Sequence, residues 1–396
     1  MNKKVIIGLN GSPDSLTAAY LLKKQKYQVS AIGVSFAHAE DQKEGSYPNI
    51  YPNYEINNVS EIQNHCKKLD IPFQLVDASE QCKTEIINSL ITSRLKGIQF
   101  DVSFEITRLL IKILFEKMIA LKGNLIATGH FAKVVHSVAD NQFFLKSTEP
   151  IEEDQSHLLS RVSKFHMTKL YLPFAEMRKS EVRKIFSQNF STSPRISKSE
   201  ISSIDFGPHI PNKMIKDIDI INYSEDTTVG TVKGIHHIEL GQNKVQDETG
   251  NIIYSDKNSI IAKVMPEKSC AYVVKNKDLS FDACYVSKFS VLSSIDQTRP
   301  MNIFVKFKNT NTRYPALLIF RNNGHALVRF KEALTIQALA GQNVVFYDNL
   351  KSKSLLLGCA EINQKGILKG RHIKELPIQS FDLNKEENNE DSSFTF

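Results

Sequence analysis

No two cysteines of this 396-residue chain stand in a CxxC. The five present, Cys66, Cys82, Cys270, Cys284 and Cys359, are scattered and odd in number, which argues against a disulfide framework and against a cysteine zinc site. No apolar run approaches the roughly 20 residues that span a bilayer. The opening MNKKVIIGLNG lacks a signal-peptide pattern. The chain therefore reads as cytoplasmic, without a membrane partner. No Gly-Lys-Ser/Thr follows the first Gly-containing turn, which excludes a Walker phosphate loop. Tryptophan is absent, which excludes no function class, and no internal repeat is visible.

What is present is an ordinary soluble composition, 41% hydrophobic and 23% charged, long enough for two or three domains. Net charge is +7. Residues 385–391 hold four acids and one lysine, and setting aside their −3 leaves +10 on the body. That excess suits a polyanionic partner. It is equally compatible with a mildly basic protein that has none.

The N-terminal stretch KVIIGLNGSPDSLTAAYLLKKQ organises the rest. Val5, Ile6 and Ile7 predict a buried strand, Asn10–Ser15 a tight polar turn, and Leu16, Ala18, Ala19, Leu21 and Leu22 a helix. A strand, a turn and a helix start leave free N–H groups at a positive dipole end, which is an anion site. Gly11 allows close approach of a phosphate, and Asn10, Ser12 and Ser15 add side-chain donors. Asp14 is a candidate ligand for a Mg²⁺ bridging phosphate oxygens. The alternative is an ordinary capped βα turn.

Further strands are expected at 29–36, 73–76 and 124–128, alternating with helices at 59–69, 82–95 and 101–121. This alternation predicts an α/β fold with a doubly wound parallel sheet, whose ligand crevice lies at the end of the first strand. Residues 37–56 read as a polar loop, 157–162 as a helix, and Ser180 as the cap-like residue of a helix at 179–183. Residues 190–212, rich in Ser and Pro, read as a mobile loop. From Asp226 the pattern turns to short β runs, spaced from Met301 as in a small β-barrel. The end of the chain reads as a disordered tail.

The turn resembles the pyrophosphatase-type loop Ser-Gly-Gly-x-Asp-Ser of ATP-dependent adenylating enzymes, with Asn10 for the first Ser and Ser12 for the second Gly. Ser12 is poorer than Gly if that position needs φ > 0, and Pro13 removes an N–H. Taken with Ala127-Thr128-Gly129-His130-Phe131-Ala132, Asp154-Gln155-Ser156, Leu172-Pro173, Lys179-Ser180-Glu181-Val182-Arg183, Leu240-Gly241-Gln242, Val328-Arg329-Phe330 and Gly341-Gln342, the chain resembles the tRNA 2-thiouridine synthase family over roughly residues 1–362. The resemblance implies an ATP-pyrophosphatase domain at 1–207, a small central β-rich domain at 208–286, a C-terminal tRNA-binding β-barrel at 287–368 and a tail at 369–396.

It also implies site residues. Gly8, Leu9, Asn10, Gly11, Ser12, Pro13, Asp14 and Ser15 would cradle ATP with Mg²⁺, and Phe36 and Gly129 would adjoin the nucleotide. His130, Glu153, Asp154 and Gln155 sit where the family touches tRNA. Gln99, Phe100 and Asp101 replace the Asn-Pro-Asp that meets the target base, Asp101 being the catalytic candidate. Lys308, Asn309 and Gln342 match tRNA-contacting positions of the barrel. Phe104 and Ile204 stand where the family has its two catalytic cysteines. Neither side chain can form a persulfide.

Blander roles stand beside these. Asp154 and Gln155 could cap a helix, His130 could be a loop histidine, and Lys308 one solvated charge. Asp101 could be the N-terminal acid of its helix, and Phe104 a core residue. Three functions remain in view. The first is ATP-dependent 2-thiolation of the tRNA wobble uridine, with sulfur from a cysteine desulfurase or relay protein. The second is a degenerate paralogue that holds tRNA or partners an active thiouridylase. The third is an adenylating transferase using another nucleophile.

Overall fold

The computed structural model describes residues 3–36, 59–190 and 215–363, apart from 140, 294, 309, 322 and 323. The expectations for the loop at 37–56, for the loop at 190–212 beyond its first residue, for the tail, and for Asn309 and Ile204 lie outside the described residues; Phe190 itself is buried in the core rather than part of a loop. The chain forms two compact units. The first comprises Met1–Ile87, Val102–Ile204 and Asn349–Leu356; the second comprises Asn88–Asp101, Asp205–Asp348 and Leu357–Phe396.

In the first unit, β1 (Lys4–Gly8), α1 (Pro13–Lys24), β2 (Gln28–Ser35), α2 (Val59–Lys68) and β3 (Phe73–Asp77) follow in turn. Val5, Ile6 and Ile7 are wholly buried, as a central strand covered on both faces requires. The helical run from 79 to 95 comprises α3 (Ser79–Cys82), a π turn (Lys83–Ile87) and α4 (Asn88–Leu95). It begins earlier than the apolar spacing predicts, and it passes from the first unit to the second after Ile87. Next come α5 (Val102–Ala120), β4 (Leu125–Ala127), the hairpin β5 (Lys133–Ser137) and β6 (Gln142–Lys146), α6 (Lys164–Met167), β7 (Leu170–Tyr171) and α7 (Lys179–Asn189). The sheet order is β3-β2-β1-β4-β7, all neighbours parallel. The order reverses at β1, so the crevice beyond the C-terminal ends of β1 and β4 is the expected ligand position. Apolar α5 packs against β1 and β4.

Two local expectations are corrected. Residues 157–162 are not an α-helix; a 3₁₀ turn covers Ser156–Leu159. Helix α7 is not capped by Ser180. Its cap residue is Arg178, whose N–H donates to Glu181 Oε2 at 2.7 Å.

In the second unit, β8 (Asp217–Asn222) and β9 (Thr227–Lys233) lead to the hairpin β10 (Lys244–Gln246) and β11 (Ile252–Ser255). Strands β12 (Ser259–Met265) and β13 (Cys270–Lys275) join β8 and β9 in a sheet of order β12-β13-β8-β9. Strand β8 precedes the point at which the β pattern becomes visible in the sequence. Then β14 (Phe281–Val291), β15 (Met301–Phe307), β16 (Arg313–Arg321), β17 (His325–Leu334), β18 (Asn343–Tyr347) and β19 (Leu356–Ile362) form a closed barrel of order β14-β17-β16-β15-β18-β19. Pairing of Val286 with Ile362 closes it, which removes exposed strand edges. Phe281, Phe307 and Phe330 meet edge-on or tilted within it.

Candidate functional site

The turn after β1 is held by its own polar atoms. Leu9 N–H donates to Ile32 O at 2.9 Å, continuing the β1–β2 ladder one residue past the strand. Asn10 Oδ1 accepts from Ser12 N–H at 3.1 Å, and Ser12 Oγ accepts from Ser15 N–H at 3.2 Å. Gly11 has φ 83°, the left-handed turn position. Ser12 has φ −67° and ψ 153° and acts as the N-cap of α1. The position therefore makes no demand for glycine. Pro13 sits at the first helical position, where its missing N–H would have had no helical partner. The amides of Gly11 and Asp14 donate to no described residue.

The loop after β4 closes against this turn. A Cβ on Gly129 would stand 2.9 Å from the Asp14 carbonyl carbon and oxygen and 3.1 Å from Ser15 N. Glycine is thus needed for the two loops to approach. His130 Nδ1 lies 2.8 Å from the Thr128 hydroxyl. Burial pushes the His130 imidazole down to about 4, so it is neutral at physiological pH. Phe131 is buried, and its N–H donates to Gln155 Oε1 at 3.0 Å while Gln155 N–H donates to Phe131 O at 2.8 Å. Asp154 is buried; its oxygens accept from the amides of Thr148 and Ser156 and from the Ser156 hydroxyl at 2.8–3.2 Å. Glu153 Oε2 accepts from Lys179 N–H at 2.7 Å, at the start of α7. Glu153, Asp154 and Gln155 thus hold backbone, and their side chains shape the loops around the turn.

Helix α7 packs against α1. Burial raises the Asp14 carboxyl above its ordinary value, against the opposing pull of the Lys179 ammonium and the Arg183 guanidinium. Neither cation was singled out by residue type alone, although their i,i+4 spacing in Lys-Ser-Glu-Val-Arg was the available signal. Phe36 is buried at the end of β2.

The other candidates gather in the second unit, in a seam along residues 97–101. Gln99 N–H donates to Ala340 O at 2.8 Å, and Gln99 Nε2 to Leu240 O at 2.7 Å. Asp101 is 3% exposed; Oδ1 meets Lys308 Nζ at 2.5 Å and Oδ2 accepts from Asn343 N–H at 2.7 Å. Gly341 has φ 84°, and a Cβ there would stand 2.1 Å from Gln99 O. Gln342 is 1% exposed, with Oε1 accepting from Leu339 N–H at 3.0 Å. Phe100 lines a small cavity with Leu90, Arg94, Ile98, Ile238 and Leu240. The seam brings Gln99, Asp101, Lys308 and Gln342 together as an internal fastening of the unit.

Phe104 is 1% exposed on α5, edge-on to His157. All five cysteines are buried, and none forms a disulfide. Burial pushes Cys66 up to about 11 and Cys284 up to about 12, and raises Cys270. Such thiols stay protonated and poorly nucleophilic. Among the described residues no group of three His, Cys, Asp or Glu side chains is placed to hold a metal. No described helix is long and apolar enough to cross a membrane.

Residues 3–203 match the model of the tRNA methyl transferase HUP domain, and residues 281–362 that of the aminomethyltransferase β-barrel domain. The chain is similar to tRNA-specific 2-thiouridylase MnmA 1 of Clostridium botulinum strain Langeland, at 25% identity over 90% of this chain and 98% of that one. The MnmA 2-thiouridylase of Caldicellulosiruptor saccharolyticus is 25% identical over 88% and 96% of the two chains. That of Chlamydia felis is 26% identical over 88% and 95%. With a parallel α/β domain carrying the turn at 8–15, a closed barrel behind it in sequence, and family models matching both, the chain belongs to the tRNA methyl transferase HUP-domain family, the family of the tRNA-specific 2-thiouridylases.

Proposed function

We propose that this chain is an ATP-dependent tRNA-uridine-activating protein of the 2-thiouridylase type. The C2 oxygen of a tRNA uridine attacks the α-phosphorus of ATP, pyrophosphate leaves, and a sulfur nucleophile then displaces AMP from C2. The observation that carries the reading is the turn at 8–15: two amides, those of Gly11 and Asp14, have no acceptor among the described residues at the N-terminus of a 12-residue helix. Gly129 keeps the loop after β4 against it, as a nucleotide cradle requires. Phe36 and the residues Gly8–Ser15 complete the nucleotide site in this reading. Asp14 suits a hard cation, since a desolvated carboxylate gains most from one, and Mg²⁺ held there would neutralise phosphate oxygens. Neutral His130, beside Gly129 in the sequence, is the tRNA-facing candidate whose role does not compete with holding backbone. Gln99, Phe100, Asp101 and Gln342 act by positioning, and Lys308 reaches RNA only as far as Asp101 lets it.

Sulfur does not come from a cysteine of this chain. Phe104 occupies one family thiol position and the five cysteines are buried. The nucleophile is sulfide delivered from outside, released from the persulfide of a cysteine desulfurase or relay protein by a thiol reductant that is itself oxidised to a disulfide. Mass spectrometry of nucleosides from tRNA incubated with ATP and the protein tests this. Free sulfide should yield 2-thiouridine even when all five cysteines are changed to Ala or Ser, provided the variant folds. A persulfide carrier that releases no free sulfide should yield none. Thiolation abolished by one Cys→Ser change in a folded protein would overturn the assignment. The second reading, a tRNA-holding partner without turnover, is favoured by the same Phe104. Absence of tRNA-dependent pyrophosphate release by wild-type protein that binds both ATP and tRNA selects it.

A further inference from the structure

Two Asn-Gly pairs occur in the sequence, Asn10-Gly11 and Asn323-Gly324. Asn323 lies outside the described residues, whereas Asn10 stands in the turn after β1. Its Oδ1 accepts from Ser12 N–H, two residues on, at 3.1 Å. That bond folds the Asn10 side chain back across the peptide joining it to Gly11, and so brings Cγ toward the Gly11 nitrogen. The Gly11 amide donates to no described residue. Gly11 has no Cβ to crowd an approach to that nitrogen. Asn10 and Gly11 are both half-buried, so water reaches them. Two other described asparagines precede a small residue. Asn88-Ser89 lies within the helical run from 79 to 95, where amides are committed to the helix ladder. After Asn258, Ser259 is buried and its N–H donates to Asp256 O at 3.2 Å. Of these three, Asn10 is the one followed by an amide with no acceptor among the described residues.

We propose that Asn10-Gly11 is a site of intramolecular deamidation, held back while a phosphate occupies the turn. The Gly11 nitrogen bonds to Asn10 Cγ. The Cγ–Nδ2 bond breaks, and Nδ2 leaves as ammonia with the Gly11 amide proton. The product is a cyclic imide. Water then opens it, at Cγ to give aspartate or at the main-chain carbonyl to give isoaspartate, which adds a methylene to the backbone. Neither step needs an oxidant or a reductant. Ser12 N–H, already on Oδ1, stabilises the negative charge that gathers on that oxygen as Gly11 attacks. The Gly11 nitrogen attacks only as it gives up its proton, so an acceptor on that N–H slows the reaction. A phosphate oxygen bound at the turn is such an acceptor. This suppression rests on the reading that the turn binds ATP, whereas the deamidation itself does not. The consequence is electrostatic. A carboxylate replaces a carboxamide at the positive end of α1, where it competes with phosphate for the same dipole and repels it. An empty turn therefore loses its ligand site with time, and an occupied one keeps it.

The test is peptide mapping by mass spectrometry of the full chain, incubated at mildly alkaline pH with and without Mg-ATP and still folded by circular dichroism. Aspartate and isoaspartate should appear at Asn10 about tenfold faster than at Asn258, the factor for opening one backbone hydrogen bond of about 1.4 kcal/mol. Mg-ATP should slow the reaction at Asn10 several-fold and leave Asn258 unchanged. The stoichiometry of ATP binding by calorimetry should fall in step with the intact Asn10 fraction. Asn10→Ser, which has no side-chain amide to lose, should hold its own stoichiometry through the same incubation. Asn10 that stays intact, or that converts no faster than Asn258, overturns the proposal. Equal conversion with and without Mg-ATP, in protein that calorimetry shows to bind it, overturns the suppression and leaves the nucleotide site standing. Conversion at Asn10 in protein that binds no ATP overturns the nucleotide reading and leaves the deamidation standing.

Discussion

The turn at residues 8–15 and the seam at residues 97–101 are both built of polar groups held against backbone, yet their donors and acceptors end in different places. In the seam every polar group traced has an internal partner: Gln99 on Ala340 and Leu240, Asp101 on Lys308 and Asn343, Gln342 on Leu339. At the turn, the amides of Gly11 and Asp14 donate to no described residue. Buried polar groups are almost always satisfied, so the seam looks like structure. A site left partly unsatisfied beside a helix N-terminus looks like a place for something else. Residue types alone would have placed Asp101, a carboxylate, ahead of Gly11.

The largest break in this comparison comes from the seam. Asp101→Ala leaves Lys308 without its partner and Asn343 N–H without an acceptor. Lys308 is about one-third exposed and can be solvated once unpaired, so the main loss is the buried Asn343 N–H left unsatisfied, about 1–3 kcal/mol, and urea unfolding of the second unit should shift to lower denaturant. Asp101→Asn combined with Lys308→Met removes the charge from both sides and should recover part of that loss. If Asp101→Ala unfolds like wild type while tRNA thiolation with sulfide collapses, Asp101 is catalytic and the seam is incidental.

Two glycines sharpen the contrast with a smaller effect. Gly341→Ala meets a backbone oxygen at 2.1 Å in a left-handed conformation. The conformation alone costs about 1–2 kcal/mol, and the clash adds to it, so this variant should lose stability. Gly129→Ala meets the Asp14 backbone at 2.9 Å without a positive φ. It should push the start of α1 away and lower ATP affinity several-fold by calorimetry, with a smaller change in unfolding than Gly341→Ala. The reverse ranking would mean that the Gly129 contact serves packing.

The parallel sheet was legible because Val5–Ile7 and the helical spacing after Ser15 are local signals. The barrel was legible because its runs alternate and recur. The seam was not, because Asp101 and Lys308 are 207 residues apart and Asn343 lies 242 residues from Asp101. Their pairing is a property of the closed barrel and the passage of residues 88–101 into its unit. Capping at Arg178 was hidden for a related reason. A serine one residue inside the helix start outranks arginine by propensity, yet the Glu181 carboxylate takes the Arg178 amide. Ser12 shows the opposite: a departure from the glycine pattern that looked costly is harmless at φ −67°.

The smallest effect is expected at Asp14, and it has the sign least like a structural residue. Burial raises this carboxyl above its usual range even with Lys179 and Arg183 nearby. A folded-state value above the unfolded one means that the native chain binds the proton more tightly, so the ionised form is penalised on folding. That penalty is absent below the ordinary carboxylate range near pH 3.8. It grows as pH rises through the raised folded value and is constant near neutrality. Asp14→Asn keeps the shape and removes the penalty. The melting temperature of the unliganded protein should therefore rise at pH 7, and the gain should fade as the pH is lowered toward 4. Affinity for Mg-ATP should fall at the same time, because the oxygen anion that suits a divalent cation is gone. A residue kept for packing would lose stability on substitution and leave ligand binding alone. Scanning calorimetry at pH 4 and pH 7, with and without Mg-ATP, separates the two. A variant less stable than wild type at pH 7 with unchanged Mg-ATP stabilisation would show that the turn at 8–15 is as closed as the seam.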